Sequence, residues 1–407
     1  SPDSSSASGA LQKIADLERM YLFQNYARYP LALKRGKGTW LYDISGKRYL
    51  DLISGIGVNA LGHAHPRITR VIREQAALLI HSSNLYYHEF QGPLAQKLAE
   101  TSGLDRAFFC NSGTEAMEAA IKILHAHGRR QDPAKYEIIA LDNSFHGRTI
   151  GALALTGQPK YRADFEPLMP GVKHIPMGDA AALETAFSQR TAGMVIETIQ
   201  GEGGICPAPA EYLRQARDLA DRYNALLVFD EIQCGIGRPC VHFAYQLHQP
   251  AILPDVVAMA KPIACGLPLG AVIANEKAAS AIGPGMHGTT FGGGALSCRV
   301  ALEFYQILDE IMPQMRLVSA QLFDGLNELK RKHTTIKDVR GAGLMIGVET
   351  EYPCKHFVQM GMEQGLLFNV THDNVVRLLP PYILSEKEAG KALKGLARIF
   401  RKARPAA

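Results

Sequence analysis

Three short stretches of this chain carry residues whose types and order could do chemistry together. Asn111-Ser112-Gly113-Thr114 follows an apolar strand-like run, Arg106–Cys110, and leads at once into helical spacing from about Glu115. Free N–H groups, the positive end of a helix dipole, two hydroxyls and a glycine that permits close approach make an anion site suited to a phosphate ester. Asp230 ends a second apolar run, residues 225–230. A carboxylate at the mouth of a strand could keep a pyridine nitrogen protonated, turning that ring into an electron sink for carbanion chemistry. Gln233, three residues on, is placed to contact a ring hydroxyl. Lys261 follows 31 residues after Asp230 (261 − 230), directly behind the apolar run Val256–Met259 and ahead of a Gly/Pro-rich stretch. A lysine in a dry strand mouth is pushed toward its neutral amine, which can form an imine. Alone, each has a plainer account: Ser112 as a helix N-cap, Asp230 as a turn cap, Lys261 as a surface lysine. Their company favours the chemical one.

These residues need elements to hold them. Apolar residues recur at helical spacing through 68–81, 92–101, 114–128, 210–223, 296–311 and 315–331. Short β-rich runs occur at Arg106–Cys110, Glu137–Leu141, 194–197, 225–230, Val256–Met259 and Gly270–Ala274. Strands alternating with helices predict a mostly parallel α/β sheet. The tail reads differently, with strands at 338–350, 366–370 and 375–379 and a closing basic helix over 385–401. At 407 residues the chain exceeds one usual core. The expected division is an N-terminal segment over 1–50 packing with the small domain, a large α/β domain over 51–300, and a small α+β domain over 301–407. Residues 1–10, polar and Ser-rich, read as a frayed tail without fold information.

Composition and failed motifs narrow the function. A net charge of +5 with no Lys/Arg block among aromatics excludes a nucleic-acid groove. No apolar run approaches the roughly 20 residues of a membrane span. Seven cysteines, odd in number and without a C-x-x-C pair, point to a reducing compartment, hence a cytoplasmic protein. The run at 226–231 imitates the acidic strand of an NTPase, but no G-x-x-x-x-G-K-[ST] loop exists to hold its phosphates. Gly55-x-Gly57-x-x-Ala60 imitates a dinucleotide fingerprint yet leads into Gly62-His63-Ala64-His65-Pro66 instead of a helix. His88-Glu89 lacks the second histidine of a zinc protease, and no G-x-S-x-G is present. His63/His65 and His125/His127 have no partners at ligand spacing, so no metal is expected.

From about residue 20 to 400 the chain resembles the class III pyridoxal-phosphate aminotransferases of the acetylornithine/succinylornithine and ornithine group. The motifs are Asn111-Ser112-Gly113-Thr114-Glu115-Ala116, Ser144-Phe145-His146-Gly147-Arg148-Thr149, Glu197-Thr198-Ile199-Gln200-Gly201-Glu202-Gly203-Gly204, Asp230-Glu231-Ile232-Gln233-Cys234-Gly235-Ile236-Gly237-Arg238, His287-Gly288-Thr289-Thr290-Phe291-Gly292-Gly293, and Val376-Arg377 before Pro380-Pro381. The resemblance implies the fold type I architecture of pyridoxal-phosphate enzymes, with the cofactor pyridoxal 5'-phosphate held as a Schiff base on Lys261. It implies that Ser112, Gly113 and Thr114 bind the phosphate, Phe145 stacks on the pyridine, Asp230 pairs with its nitrogen and Gln233 contacts its oxygen. Thr290 would reach the cofactor phosphate of a partner subunit, making a homodimer part of the site.

By the same resemblance Arg148 grips the carboxylate remote from the reacting carbon. Arg377 binds the α-carboxylate of glutamate, and Glu202 neutralises Arg377 when a substrate reacts at a terminal amine. The implied reaction moves the δ-amino group of N-acetylornithine to 2-oxoglutarate by a ping-pong cycle. N-acetylornithine is preferred as donor because Ile56 stands where ornithine-specific members tend to carry a bulky Tyr; succinylornithine, ornithine, 4-aminobutyrate and other ω-amines stay open. So do two readings of another class, an aminomutase and a non-catalytic cofactor-binding protein. Departures from the family pattern are Ala260 for a usual Ser, Pro262 after the lysine, Gly294-Ala295 for Asn-Pro, and Thr198 for a Pro.

Overall fold

The computed structural model describes residues 4–402. Seven strands form one sheet in the order Arg106–Cys110, Gly270–Ala274, Val256–Met259, Leu226–Asp230, Thr191–Glu197, Glu137–Leu141, Val172–Ile175. Neighbours pair in parallel except around Gly270–Ala274, which runs antiparallel to both Val256–Met259 and Arg106–Cys110. Two reversals restore direction, so six strands point one way. Their carboxyl ends therefore open on one edge of the sheet, where open α/β sheets take their ligands.

Continuous apolar runs fit strands covered on both faces. Alternate residues go to separate cores: Leu227, Phe229, Ile139 and Met194 join one, while Leu226, Val228, Ile138 and Val195 join the other. The second core is closed by the helix Gly113–Gln131, whose buried Ala116, Ala119 and Ala120 allow close approach to the sheet. Val172–Ile175, an edge strand, was not separable in the sequence because Lys173 and His174 interrupt its apolar character.

The tail forms an antiparallel sheet in the order Ile336–Ala342, Met345–Thr350, Val375–Leu378, Asn369–Thr371, beside the helix Glu386–Lys402. A third sheet combines Leu33–Lys37, Trp40–Asp43 and Arg48–Asp51 with Leu366–Leu367, so N-terminal strands pair with a C-terminal one. Thr39 Oγ1 and Trp40 Nε1 both donate to Glu388 Oε1, at 2.6 and 2.8 Å.

Four expectations are corrected. Residues 4–10 are not a frayed tail but the first turns of a helix, Ser4–Tyr21, whose later part carries Gln12–Asp16 and Arg19–Asp16 contacts; residues 1–3 lie outside the described part. The helices expected at 296–311 and 315–331 are one, Ala295–Lys332, running through Pro313. An interior proline costs roughly 3 kcal/mol; burial of Met312, Met315, Val318 and Leu322 on one continuous stripe outweighs it. The single strand at 338–350 is a hairpin, and that at 366–370 is split between two sheets. Among the described residues no helix is long and apolar enough to cross a membrane.

Candidate active site

At the open edge a cavity of about 360 Å³ is lined by Ser112, Phe145, Arg148, Glu202, Asp230 and Lys261 among others. Asp230 is the last residue of its strand, and the others come from loops that follow strands of the large sheet. After Arg106–Cys110 the chain turns into the helix Gly113–Gln131 with Ser112 as N-cap, its Oγ accepting the Glu115 N–H at 3.3 Å. Glu115 Oε2 answers by accepting the Asn111 N–H at 2.7 Å, which leaves the remaining first-turn N–H groups without intrahelical partners. A Cβ on Gly113 would sit 2.9 Å from the Ile232 side chain, so the cup stays shallow only with glycine there. Thr114 Oγ1 is committed elsewhere: it lies 2.9 Å from Thr149 Oγ1 and accepts the N–H groups of Arg148 and Thr149 at 3.3 and 3.4 Å.

Asp230, 4% exposed, ends its strand with Oδ1 accepting the Ile232 N–H at 3.0 Å and Oδ2 at 2.7 Å from His146 Nδ1. His146 is fully buried, and its Nε2 has no hydrogen-bond partner among the described residues. Burial works against its charged form, but the hydrogen bond and charge of Asp230 win and hold the imidazolium above its usual range. One strand over, Glu197 accepts the N–H of Phe145 at 2.8 Å and of Gly201 at 3.0 Å, tying together the loops that carry Phe145 and Glu202. Burial pushes its carboxyl up to about 7, against the nearby His146 charge.

Lys261 follows Val256–Met259 as expected. Burial first, then the charge of Arg377, pulls its ammonium below the usual lysine value, with Glu202, Asp230 and Glu197 opposing. A Cβ on Gly57 would lie 3.9 Å from Lys261 Cδ, so the loop 54–58 abuts the lysine stem. Within that loop Ile56 holds a left-handed φ of 61°, a strained state for a β-branched residue.

Arg377, buried on Val375–Leu378, places Nη1 at 2.5 Å from Glu202 Oε1 and 3.3 Å from Gln233 Oε1, with Nε on Asn369 Oδ1 at 3.0 Å. Burial acts to raise the Glu202 carboxyl, yet Arg377 and the Lys261 charge hold it low. Arg148 is different: exposed, it meets the rings of Tyr161 and Phe145 at 4.1 and 5.4 Å and has no carboxylate partner among the described residues. Thr290 is exposed and outside this cavity, although the neighbouring Thr289 Oγ1 accepts from Asn111 Nδ2 at 3.1 Å. The sequence assigned no role to His146, Glu197, Glu118 or Tyr161. His146 and Glu197 stood inside quoted motifs, whereas Tyr161 and Glu118 gave no signal.

A model of the family described as aminotransferase class-III matches residues 21–400. This chain belongs to the class III aminotransferases. Among the relatives, the acetylornithine aminotransferase of Methanocaldococcus jannaschii is 45% identical, over 95% of this chain and 97% of that protein. An ornithine aminotransferase from Toxoplasma gondii, crystallised in the presence of oxidised glutathione with partial occupancy of PLP at its active site, has a TM-score of 0.91 at 31% identity, covering 96% and 94% of the two chains. The acetylornithine aminotransferase of Elizabethkingia anophelis has a TM-score of 0.86 at 29% identity, covering 97% and 99%.

The class III chain is thus a pyridoxal-phosphate-dependent transaminase of fold type I. Its site suits that cofactor by donor chemistry: an anion cup at a helix start, a buried carboxylate for a ring nitrogen, an aromatic ring at the cavity wall and a desolvated lysine.

Proposed function

We propose that this enzyme transfers the δ-amino group of N-acetylornithine to 2-oxoglutarate by a ping-pong cycle, giving the semialdehyde and glutamate. The observation that carries the reading is the contrast between two arginines: Arg377 is closed by Glu202 at 2.5 Å, while Arg148 is open. A donor reacting at its terminal amine brings one carboxylate, remote from the reacting carbon, and needs one free arginine. 2-Oxoglutarate brings two carboxylates and needs both. Arg148 then serves both substrates, and Glu202 must release Arg377 only for the keto acid. Bidentate guanidinium pairing supplies the geometry.

Ser112, Gly113 and Thr114 take the cofactor phosphate, with Thr114 acting through its N–H since its hydroxyl is committed to the Arg148 loop. Phe145 covers the ring, Gln233 contacts the ring oxygen, and Asp230, itself held by His146, keeps the ring nitrogen protonated. Bound there, pyridoxal phosphate supplies the electron sink that lets the amine-bearing carbon lose a proton. Lys261 Nζ, whose charged form is disfavoured in its dry setting, would hold the cofactor in the resting enzyme and, once displaced, would move that proton between substrate and cofactor carbons. The preference for N-acetylornithine is supported by Ile56 in the loop beside Lys261.

The reading includes a homodimer and the division of the chain at about residues 50 and 300. Thr290 is exposed and does not line its own cavity, and exposed Tyr86, Tyr87 and Phe291 lie on segments joined by Asn84 and His88 hydrogen bonds to Gly292 and Gly293, which supports an apolar face for a second copy. The deciding experiment follows the visible band of the cofactor in wild type and Lys261→Ala. The wild-type band should be bleached by N-acetylornithine and restored by 2-oxoglutarate. A band unmoved by N-acetylornithine overturns the donor; a covalently held cofactor in Lys261→Ala overturns the lysine.

A further inference from the structure

The face of Tyr161 is the nearest aromatic surface to the Arg148 guanidinium, 4.1 Å from Cζ to ring centre. Tyr161 lies on a one-turn helix, Pro159–Arg162, outside every recognised motif. That turn is fastened to the segment delivering Phe145: Asn143 N–H donates to Gly157 O at 3.0 Å, Gly157 N–H to Ser144 O at 3.1 Å, and Gln158 Nε2 to Asn143 O at 3.3 Å. Arg162 Nη1 adds a contact to His174 Nδ1 at 3.1 Å on the edge strand. Phe145 and Tyr161 meet edge to face, ring centres 6.2 Å apart at 86°, and the guanidinium lies against both.

An arginine can be held in place by a carboxylate or by an aromatic face, with opposite consequences. A carboxylate neutralises the charge and occupies the N–H fork. A ring attracts the cation through its quadrupole and leaves the fork free for an incoming anion. Here the side chain of Arg148 donates to no acceptor among the described residues, and the Tyr161 hydroxyl likewise makes no hydrogen bond among them. The ring face, not the hydroxyl, is the working part. Lys160 Nζ, 5.0 Å from the same ring, keeps the local potential positive.

We propose that Tyr161 is a specificity-positioning residue, whose ring together with Phe145 holds the Arg148 guanidinium ready for the carboxylate remote from the reacting amine. The proposal rests on the reading of Arg148 as that carboxylate's anchor, and it assigns Tyr161 discrimination between amines with and without the carboxylate. Tyr161 does not itself line the cavity, so it acts through Arg148.

The test compares N-acetylornithine with N-acetylputrescine, the same amine without the carboxylate, by following cofactor bleaching in single half-reactions of the holoenzyme. In Tyr161→Leu the half-saturating concentration of N-acetylornithine should rise about tenfold, with the limiting rate and the N-acetylputrescine reaction changed by less than about twofold. Tyr161→Phe, which keeps the ring, should behave as wild type. Equal losses on both donors in Tyr161→Leu, or a Phe variant as impaired as the Leu variant, overturn the proposal. Arg148→Ala runs in parallel. If it leaves the ratio of the two donors unchanged, the reading of Arg148 fails and takes the proposal with it. If it abolishes the discrimination while Tyr161→Leu preserves it, Tyr161 alone is refuted.

Discussion

Arg377 Nη1 lies 2.5 Å from Glu202 Oε1, with the arginine side chain 2% exposed and the glutamate 24%. Arg377 is also fixed by Asn369, while the Glu202 carboxylate has, among the described residues, only a 3.5 Å contact to the Thr371 hydroxyl besides the arginine; that hydroxyl holds the Glu202 main-chain oxygen at 2.8 Å, so the backbone stays while the carboxylate can swing. The glutamate is therefore the member free to move. Glu202→Gln should weaken donors that react at a terminal amine and favour glutamate. The ratio of kcat/KM for glutamate over N-acetylornithine should rise about tenfold, equivalent to about 1.4 kcal/mol. Steady-state kinetics with both donors measures it, and an equal loss on both would mark the pair as structural only.

Cofactor uptake by the apoenzyme should report the desolvated lysine. The neutral amine is the reactive form, so uptake rises with pH through the Lys261 pKa. Because burial and Arg377 depress that pKa, the midpoint should fall below the ordinary 10.5. Arg377→Gln removes a depressing charge and should move the midpoint up; Glu202→Gln removes an opposing one and should move it down. Stopped-flow absorbance across pH measures all three, and a midpoint at the ordinary lysine value would contradict a dry site.

Lys261, Asp230 and Ser112 were legible because each stands at or just past the end of an apolar run, and parallel strands gather such positions on one edge. His146 and Glu197 were not, since their partnership with Asp230 and Phe145 depends on strand order. Only when Glu137–Leu141, Thr191–Glu197 and Leu226–Asp230 are known to be neighbours does the imidazole reach the carboxylate. Local pattern also misled at Pro313, where proline chemistry predicts a break that packing on both sides overrides. The left-handed Ile56 and the committed hydroxyl of Thr114 have no sequence signature at all.

The His146–Asp230 pair should make stability depend on pH in a stated direction. Its folded-state pKa is raised above the ordinary 6.5. The stability it contributes is therefore fully present below about pH 6.5 and lost as pH rises through the folded value. Urea unfolding of wild type and His146→Gln should differ more at about pH 6 than at about pH 9. A gap that widens with rising pH would mean that the imidazole is buried neutral.

The loop carrying Arg148 is latched to the first turns of the helix Gly113–Gln131, and breaking the latch should weaken both substrates together. Thr149 Oγ1 donates to Glu118 Oε1, which also accepts the Ala152 N–H at 2.9 Å, while Thr149 Oγ1 meets Thr114 Oγ1 at 2.9 Å. Gly147 makes the approach possible: its φ is 133°, and a Cβ there would sit 2.3 Å from Thr114 Oγ1 and 2.9 Å from the Ala152 side chain. Gly147→Ala should cost about 1–3 kcal/mol of stability through backbone strain and displace the loop. If Arg148 meets a carboxylate on each substrate, as proposed above, KM for N-acetylornithine and for 2-oxoglutarate should rise in parallel, about tenfold. Glu118→Gln keeps an acceptor but loses the charge, so the same parallel rise should appear at a few-fold. A rise confined to one substrate would detach the latch from Arg148, and unchanged KM values in both variants would reduce it to local packing.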